Sequence, residues 1–557
     1  MLLNFGARFG YSFPILSWLN IIPMGELGIS YMYNKAPSLS ELGDWVSPTL
    51  GLGVSAEFTL GWRHSVFVTV QGRVLIQSKP LLGAGFKAGY AFRFGETPPP
   101  PPRPRDNSLQ VKVNHIGDFF PNLYPSQKFI NLDITLTNRG PESLKYVNVM
   151  VRFDPYLDIP ARLMLEKSLD PGEEIQLKLP LYLNEKYLKI NTTKQTNLSI
   201  EIDYQRRLYD FEKVETIAVT IHDRNVVSWR DDRVAAVFIN PNDNAVNQYT
   251  RGVLQHIDLE KYGHVPRPMS SAMILFSAME ADSFRYLPDP SQPFQNSTDG
   301  TDVLDTIAFP RELLSEGVGD CDDLTVLYCT LLENAGIETA FVTIPGHIFM
   351  MFNTGVDAAL ADTISSFSDL LYIFEGTVWI PVEVTAVGKG FNVAWELGAQ
   401  QLQRSDYENT KIFRPRRLWD KWVPFSFPED PDGVNPPEAG LIERILEPNY
   451  NSFINRELTY KASMIQQDID REPNDPSHYN RMGALYRTFG ELNKSNVFLQ
   501  QALDINPNYV PALYNYAKNL LDKGKKEQAL IYAEQALDLK PNNPRIQFLV
   551  QACRSAS

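Results

Sequence analysis

Cysteine is nearly absent: the 557 residues include three, Cys321, Cys329 and Cys553. Three thiols without a Cys-x-x-Cys pair exclude a dense disulfide framework, a zinc finger and a thioredoxin-like redox site. Cys329 lies two helical turns beyond Cys321, roughly 12 Å at the standard rise. That is too far for a disulfide within one helix, so Cys329 reads as a buried core thiol. Positive charge is also short. Against 66 Asp and Glu stand 52 Lys and Arg, and the net −14 argues against a nucleic-acid surface. The seven histidines are scattered, so neither a metal nor a cofactor is expected. No apolar run approaches the roughly 18 residues of a membrane-crossing helix. The first residues also lack the basic start and unbroken apolar stretch of a secretory leader.

What is present divides into several domains, as a chain of this length requires, because single cores stop growing at about 250–300 residues. Residues 1–96 are rich in glycine and aromatics and alternate with period two. Leu52, Val54, Ala56, Phe58, Leu60 and Trp62 share one face, Val66, Val68 and Val70 another, and Phe86, Ala88, Tyr90, Phe92 and Phe94 a third. Five such segments resemble part of an outer-membrane β-barrel. Five strands are below the minimum of about eight, so the expectation is an incomplete barrel: either the chain starts downstream of further strands and a leader, which is favoured, or several chains complete one barrel. Residues 97–106, with prolines at 98–102, predict a stiff polyproline linker.

Residues 107–225 predict an all-β domain. The stretches 109–113, 130–136, 147–151, 198–204 and 214–221 alternate, with turns at 138–140 and 170–172, a spacing suggesting an immunoglobulin-like sandwich. Proline and acid recur over 424–444, read as a second linker. Beyond it Pro473, Pro507 and Pro541 repeat at a 34-residue step, kept by Gly490 and Gly524 and by Ala502 and Ala536. A helix–turn–helix unit of this period resembles the tetratricopeptide repeat, so 445–557 is expected to be an α-solenoid with a protein-binding face.

The chemistry concentrates in 226–423. Gly-Val-Gly-Asp-Cys-Asp-Asp over 317–323 runs into Leu324, Leu327, Tyr328, Leu331 and Leu332, one apolar helical face ended by Gly336. The Cys321 thiol therefore sits in the first helical turn. There the helix dipole favours the thiolate, whereas Asp320, Asp322 and Asp323 oppose it. A strand, the Pro345-Gly346 turn, a strand opening on His347, and a third β-rich run carrying Glu383 follow. A helix-start cysteine, a strand histidine and a carboxylate on the next strand is the order needed by a thiol nucleophile, its base and its orienter.

The Gly-Asp-Cys-Asp-Asp motif, Ala335-Gly336-Ile337, Gly346-His347 and the run from Trp379 to Glu383 resemble the transglutaminase-like superfamily over roughly residues 240–400. The resemblance implies an α+β, papain-like core with Cys321 as nucleophile, His347 as base and Glu383 as third member, where aspartate is more usual. It also implies an upstream aromatic near the oxyanion, for which Tyr286 is the best placed. Such an enzyme would act on a protein or peptide amide through a thioester, with hydrolysis favoured over crosslinking, in a bacterial envelope. The competing expectation is an inactive scaffold that assembles envelope partners through its repeats and sandwich.

Overall fold

The computed structural model describes the chain except residues 1, 17–18, 33–44, 61–63, 77–80, 93–105, 115–116, 289–302, 406, 430–433 and 556–557. Trp62, Phe94 and the proline run 98–102 therefore lie outside the described residues. The chain forms two units, Met1–Arg103 and Pro104–Ser557.

The first unit is an antiparallel sheet of β1 (Leu2–Gly10), β2 (Phe13–Leu16), β3 (Leu19–Met32), β4 (Trp45–Thr59), β5 (His64–Leu75) and β6 (Leu81–Phe92). Strand order is β1-β3-β4-β5-β6, with the short β2 on β3. Among the described residues β1 and β6 remain edges, so the sheet is open and no closed barrel forms. Its two faces are inverted relative to a water-soluble sheet. Leu27, Leu50, Leu52, Val54, Val70, Leu82 and Phe86 are exposed, whereas Glu26, Thr49, Ser55, Glu57, Ser65, Thr69 and Gln71 are buried. The buried polar groups satisfy one another. Arg8 Nε donates to Glu26 at 3.0 Å and Arg73 Nη2 at 2.6 Å, while Thr69 donates to Ser55 at 2.9 Å.

The second unit opens with two facing sheets. One holds β10 (Ala161–Met164), β9 (Lys145–Arg152), β12 (Lys194–Arg206) and β13 (Tyr209–Ile221), and the other β11 (Glu174–Leu181), β8 (Ile130–Asn138) and β7 (Leu109–Val113). Alternate residues meet between them, among them Ile134, Leu136, Val149, Leu179, Ile200 and Ile202, all fully or almost fully buried. Sequence reading omitted β10 and β11. β10 is four residues long, and β11 contains Pro180, which only an edge strand tolerates.

Next come α1 (Asn244–Gln255), α2 (Arg267–Ala281), α3 (Pro310–Glu316) and α4 (Cys321–Asn334). Three short pieces, β14 (Val226–Ser228), β15 (Arg285–Tyr286) and β16 (Leu304–Thr306), lie between the sandwich and α3, and β17 (Val318–Gly319) leads into α4. A five-stranded antiparallel sheet follows, with order β20 (Tyr372–Phe374), β21 (Thr377–Val382), β19 (His347–Asp357), β18 (Thr339–Ile344) and β22 (Lys411–Phe413). One face, including Phe341, Ile348, Met350 and Val382, shares a core with α2 and α4. Trp379, Met351 and Val342 form a separate cluster on the other. Helix α5 (Phe391–Arg404) packs along β21.

The expected linker 424–444 is not a free connection. Phe425 is buried in the α2–α4 core and its N–H donates to Val237 at 2.8 Å. The expected break at 444/445 falls inside one 33-residue helix, α6 (Ala439–Arg471). Ile442, Leu446, Tyr450 and Phe453 bury one end of α6 in that core, and Ile465 and Ile469 pack the other end on Met482 of the first repeat helix. The apolar residues at i, i+4, i+8 and i+11 were the available signal. Five helices complete the chain: α7 (Pro476–Thr488), α8 (Leu492–Ile505), α9 (Val510–Asp522), α10 (Lys526–Leu539) and α11 (Pro544–Ser555). No described helix is long and apolar enough to cross a membrane.

Candidate functional site

Cys321 is the first residue of α4, and Asp320 caps it. The cap is reciprocal. The Asp323 N–H donates to Asp320 at 3.5 Å and the Asp320 N–H to Asp323 at 3.2 Å, closing a capping box. Asp323 also accepts from the Ala308 N–H at 2.7 Å, which ties the turn before Cys321 to the loop between β16 and α3. Two of the acids that sequence reading set against the thiolate thus build the turn that presents it. The spacing Asp-x-x-Asp ahead of an apolar run was the signal for that role.

His347 arrives through a tight turn. Ile344 pairs with His347 across Pro345-Gly346, and Gly346 adopts φ 73°. Proline followed by a left-handed glycine is the sequence of a type II turn, so the histidine's place at the head of β19 is locally encoded. His347 Nε2 lies 2.5 Å from Glu383 Oε2. With Nε2 occupied, Nδ1 is the ring atom able to exchange a proton with a thiol. The next residue, Ile348, directs its backbone N–H at the Cys321 sulfur and favours its thiolate.

Glu383 follows β21 and is almost fully buried. Its second oxygen, Oε1, accepts from Thr385 Oγ1 at 2.6 Å and from the Thr385 N–H at 3.1 Å. Those two bonds hold the longer carboxylate in the orientation an aspartate would adopt with less freedom to lose. The backbone is held as well, since the Glu383 N–H donates to Ala394 of α5 at 2.9 Å. That approach requires Gly398, where a Cβ would stand 2.6 Å from Val382 N and 2.9 Å from Glu383 N. Sequence reading missed Thr385 and Gly398.

Tyr286 pairs in parallel with Gly319, two residues before Cys321, and the Leu287 N–H donates to Gly319 at 2.9 Å. Burial, then the neighbouring Cys321 and Asp320, push its phenol up. All four residues singled out in the sequence, Cys321, His347, Glu383 and Tyr286, therefore converge on one locus.

The electrostatics of this state oppose the thiolate. Burial pushes the Cys321 thiol well up, Asp322 and Asp320 add to the shift, and the Ile348 N–H only partly offsets them. Asp322 is fully buried, and burial and Asp320 raise its carboxyl. Burial and Asp320 likewise push Asp323 up to about 7. Asp320, Asp322 and Asp323 each offer an oxygen within 4.8 Å of the others, a spacing that a cation could bridge or a shared proton could relieve.

Residues 489–553 match the tetratricopeptide repeat family model. Helices α8–α11 thus form a tetratricopeptide-repeat-like region. A search of curated proteins found no match. Among solved structures, the first TPR of Spaghetti (RPAP3) bound to the HSP90 peptide SRMEEVD is similar at 18% identity over 20% of this chain and 87% of its own, with a TM-score of 0.18. The Arabidopsis OM64 TPR domain is 13% identical over 19% and 88%, also with a TM-score of 0.18. The Yersinia enterocolitica type III secretion chaperone SycD, in complex with a peptide of the translocator YopD, is 15% identical over 21% and 95%, with a TM-score of 0.17.

Proposed function

We propose that residues 226–423 are a transglutaminase-like thiol enzyme with a papain-like core, acting on an amide of a protein or peptide. The observation that carries this reading is the contact of His347 Nε2 with Glu383 Oε2 at 2.5 Å, beside a cysteine at a helix start. In the reaction, the Cys321 sulfur attacks the carbonyl carbon and its proton passes to His347. The C–N bond breaks as His347 gives that proton to the departing amine. Water then adds to the thioester, His347 takes its proton, and the C–S bond breaks to return the thiol. Glu383 holds the imidazole's orientation throughout. Tyr286 supports the oxyanion, a contribution worth about 10²–10³-fold for one donor. Hydrolysis is favoured over transfer to a second amine.

The polarity of the N-terminal sheet supports an outer-membrane place in a bacterial envelope, because apolar-out and polar-in is the pattern of a lipid-facing sheet. The two facing sheets of 107–225 are read as an immunoglobulin-like spacer, and the repeats as the surface that holds a protein partner.

One observation favours a second reading, an inactive scaffold: the thiol is 5% exposed among carboxylates that keep it protonated. Iodoacetamide labelling across pH separates the two, with Cys321→Ser and His347→Ala as controls and mass mapping of the adduct. An enzyme gives Cys321 labelling near neutral pH that slows in His347→Ala. Labelling no faster than an ordinary thiol, with no dependence on His347, removes the enzymatic reading.

A further inference from the structure

The outer end of the sandwich carries a feature that its own folding does not select. β12 and β13 close through the pair Arg206 and Tyr209, leaving Arg207 and Leu208 as a two-residue loop. Such loops favour Asn-Gly or Gly-x, because one or both central residues need positive φ. Here Arg207 adopts φ 56°, and Leu208 is 91% exposed. Beside them Tyr209 and Tyr146 are 67% and 66% exposed, and Tyr146 too adopts a positive φ, 52°. Lys145 pairs with Gln205, which places Tyr146 at the same end. Two non-glycine residues in left-handed conformation and three projecting apolar or phenolic groups thus converge on one rim. Strain of this kind persists where a function uses it.

The two arginines of the rim are already matched. Arg206 contacts Asp106 at 3.1 Å and Glu142 at 3.8 Å, and Arg207 pairs with Glu142. What projects is a leucine tip flanked by tyrosines, the composition of a membrane–water boundary rather than of an anion-binding patch. Asp106, the third residue of the second unit, also accepts from the Tyr204 hydroxyl at 3.2 Å. The other end of the sandwich is engaged with the thiol domain, where Asn122 donates to Arg224 and Val226 and Arg224 meets Glu312 at 2.8 Å.

We infer that the rim formed by Leu208, Tyr209 and Tyr146 is a lipid-facing anchor that enters the interface of an uncharged bilayer surface. The inference rests on the membrane reading of the N-terminal sheet. It is tested on the full chain reconstituted in zwitterionic vesicles, with an environment-sensitive fluorophore on Leu208→Cys, Leu52→Cys or Ile159→Cys in turn. Leu52 reports the apolar face of the sheet. Ile159, 80% exposed in the loop beyond the other end of β9, is the control. The three native cysteines are buried. The expected result is blue-shifted emission and several-fold quenching by a lipid-borne quencher at 208 and 52 but not at 159, unchanged by added salt. A wet 208 with a quenched 52 overturns the anchor and leaves the membrane reading standing. If 52 is wet as well, both fall. A blue shift at 208 without lipid quenching marks a protein contact and overturns the lipid assignment.

Discussion

The N-terminal sheet and the sandwich share strand period, antiparallel pairing and aliphatic content, yet they bury opposite faces. In the sandwich Ile134, Ile200 and Ile202 face inward and are inaccessible. In the sheet Leu52 and Val70 face outward while Glu26, Glu57 and Thr69 are covered. Period two fixes only that neighbouring side chains part company, and what packs against each face decides which set is hidden. Buried acids differ in the same way. Glu26 meets Arg8 and Arg73, whereas the buried Asp322 lies with the half-buried Asp320 and Asp323 beside Cys321, and burial together with Asp320 raises the carboxyls of Asp322 and Asp323. The first arrangement is a neutralised structural pair. The second is costly in the folded state, which is where a site for chemistry is expected.

The sharpest break of this comparison is a matched pair of truncations. Ile200→Ala is expected to cost about 2–5 kcal/mol in urea unfolding of the sandwich, as core truncations do. Leu52→Ala should leave the sheet's stability nearly unchanged, whereas Leu52→Arg should cost about 2–4 kcal/mol only when the chain is in a bilayer. Equal losses for Ile200→Ala and Leu52→Ala would show that the sheet buries its aliphatic face. Glu26→Gln comes next. It strands two guanidiniums and should lower the sheet's stability by about 3 kcal/mol, the lower end for a broken buried pair because Arg8 is partly exposed. A neutral outcome would mean the polar face is wet.

Gly398→Ala perturbs the site alone. Overpacking of this kind costs about 1–3 kcal/mol. It should displace Glu383 and slow Cys321 labelling without unfolding the repeats, measured by labelling alongside circular dichroism. The smallest effect is pH dependence. Asp323 titrates at about 7 in the fold and near its ordinary carboxyl value when unfolded. The folded state therefore binds the proton more tightly. Its stability is greatest below about pH 4 from this group and declines as pH rises through about 7. The thiol domain should melt several degrees higher at pH 5 than at pH 7.5. Asp320→Asn, which keeps a capping side chain, should flatten that difference and speed Cys321 labelling at neutral pH, because it removes a charge that raises both groups. Unchanged melting and labelling would show that these acids are already neutralised.

Much of this was legible in the chain. The 34-residue step located the repeats, the alternation located most strands, and the order cysteine, histidine, carboxylate named three residues, of which His347 and Glu383 are in contact. The omissions have physical causes. Phe425 and the start of α6 read as linker because proline and acid dominate there, yet one buried ring and four apolar positions dock the segment. Thr385 and Gly398 carry no motif. Their roles exist only because α5 lies against the end of β21.

Local sequence alone determined the Asp320–Asp323 capping box, the Pro345-Gly346 turn that starts β19, and the alternating faces of the strands. Each depends on residues within a few positions of one another. Only the tertiary structure decided that Glu383 reaches His347 across 36 residues, that the thiol is raised rather than activated, and that α6 belongs to two domains. Orientation, desolvation and shared packing are properties of what surrounds a residue, and the surroundings come from distant parts of the chain.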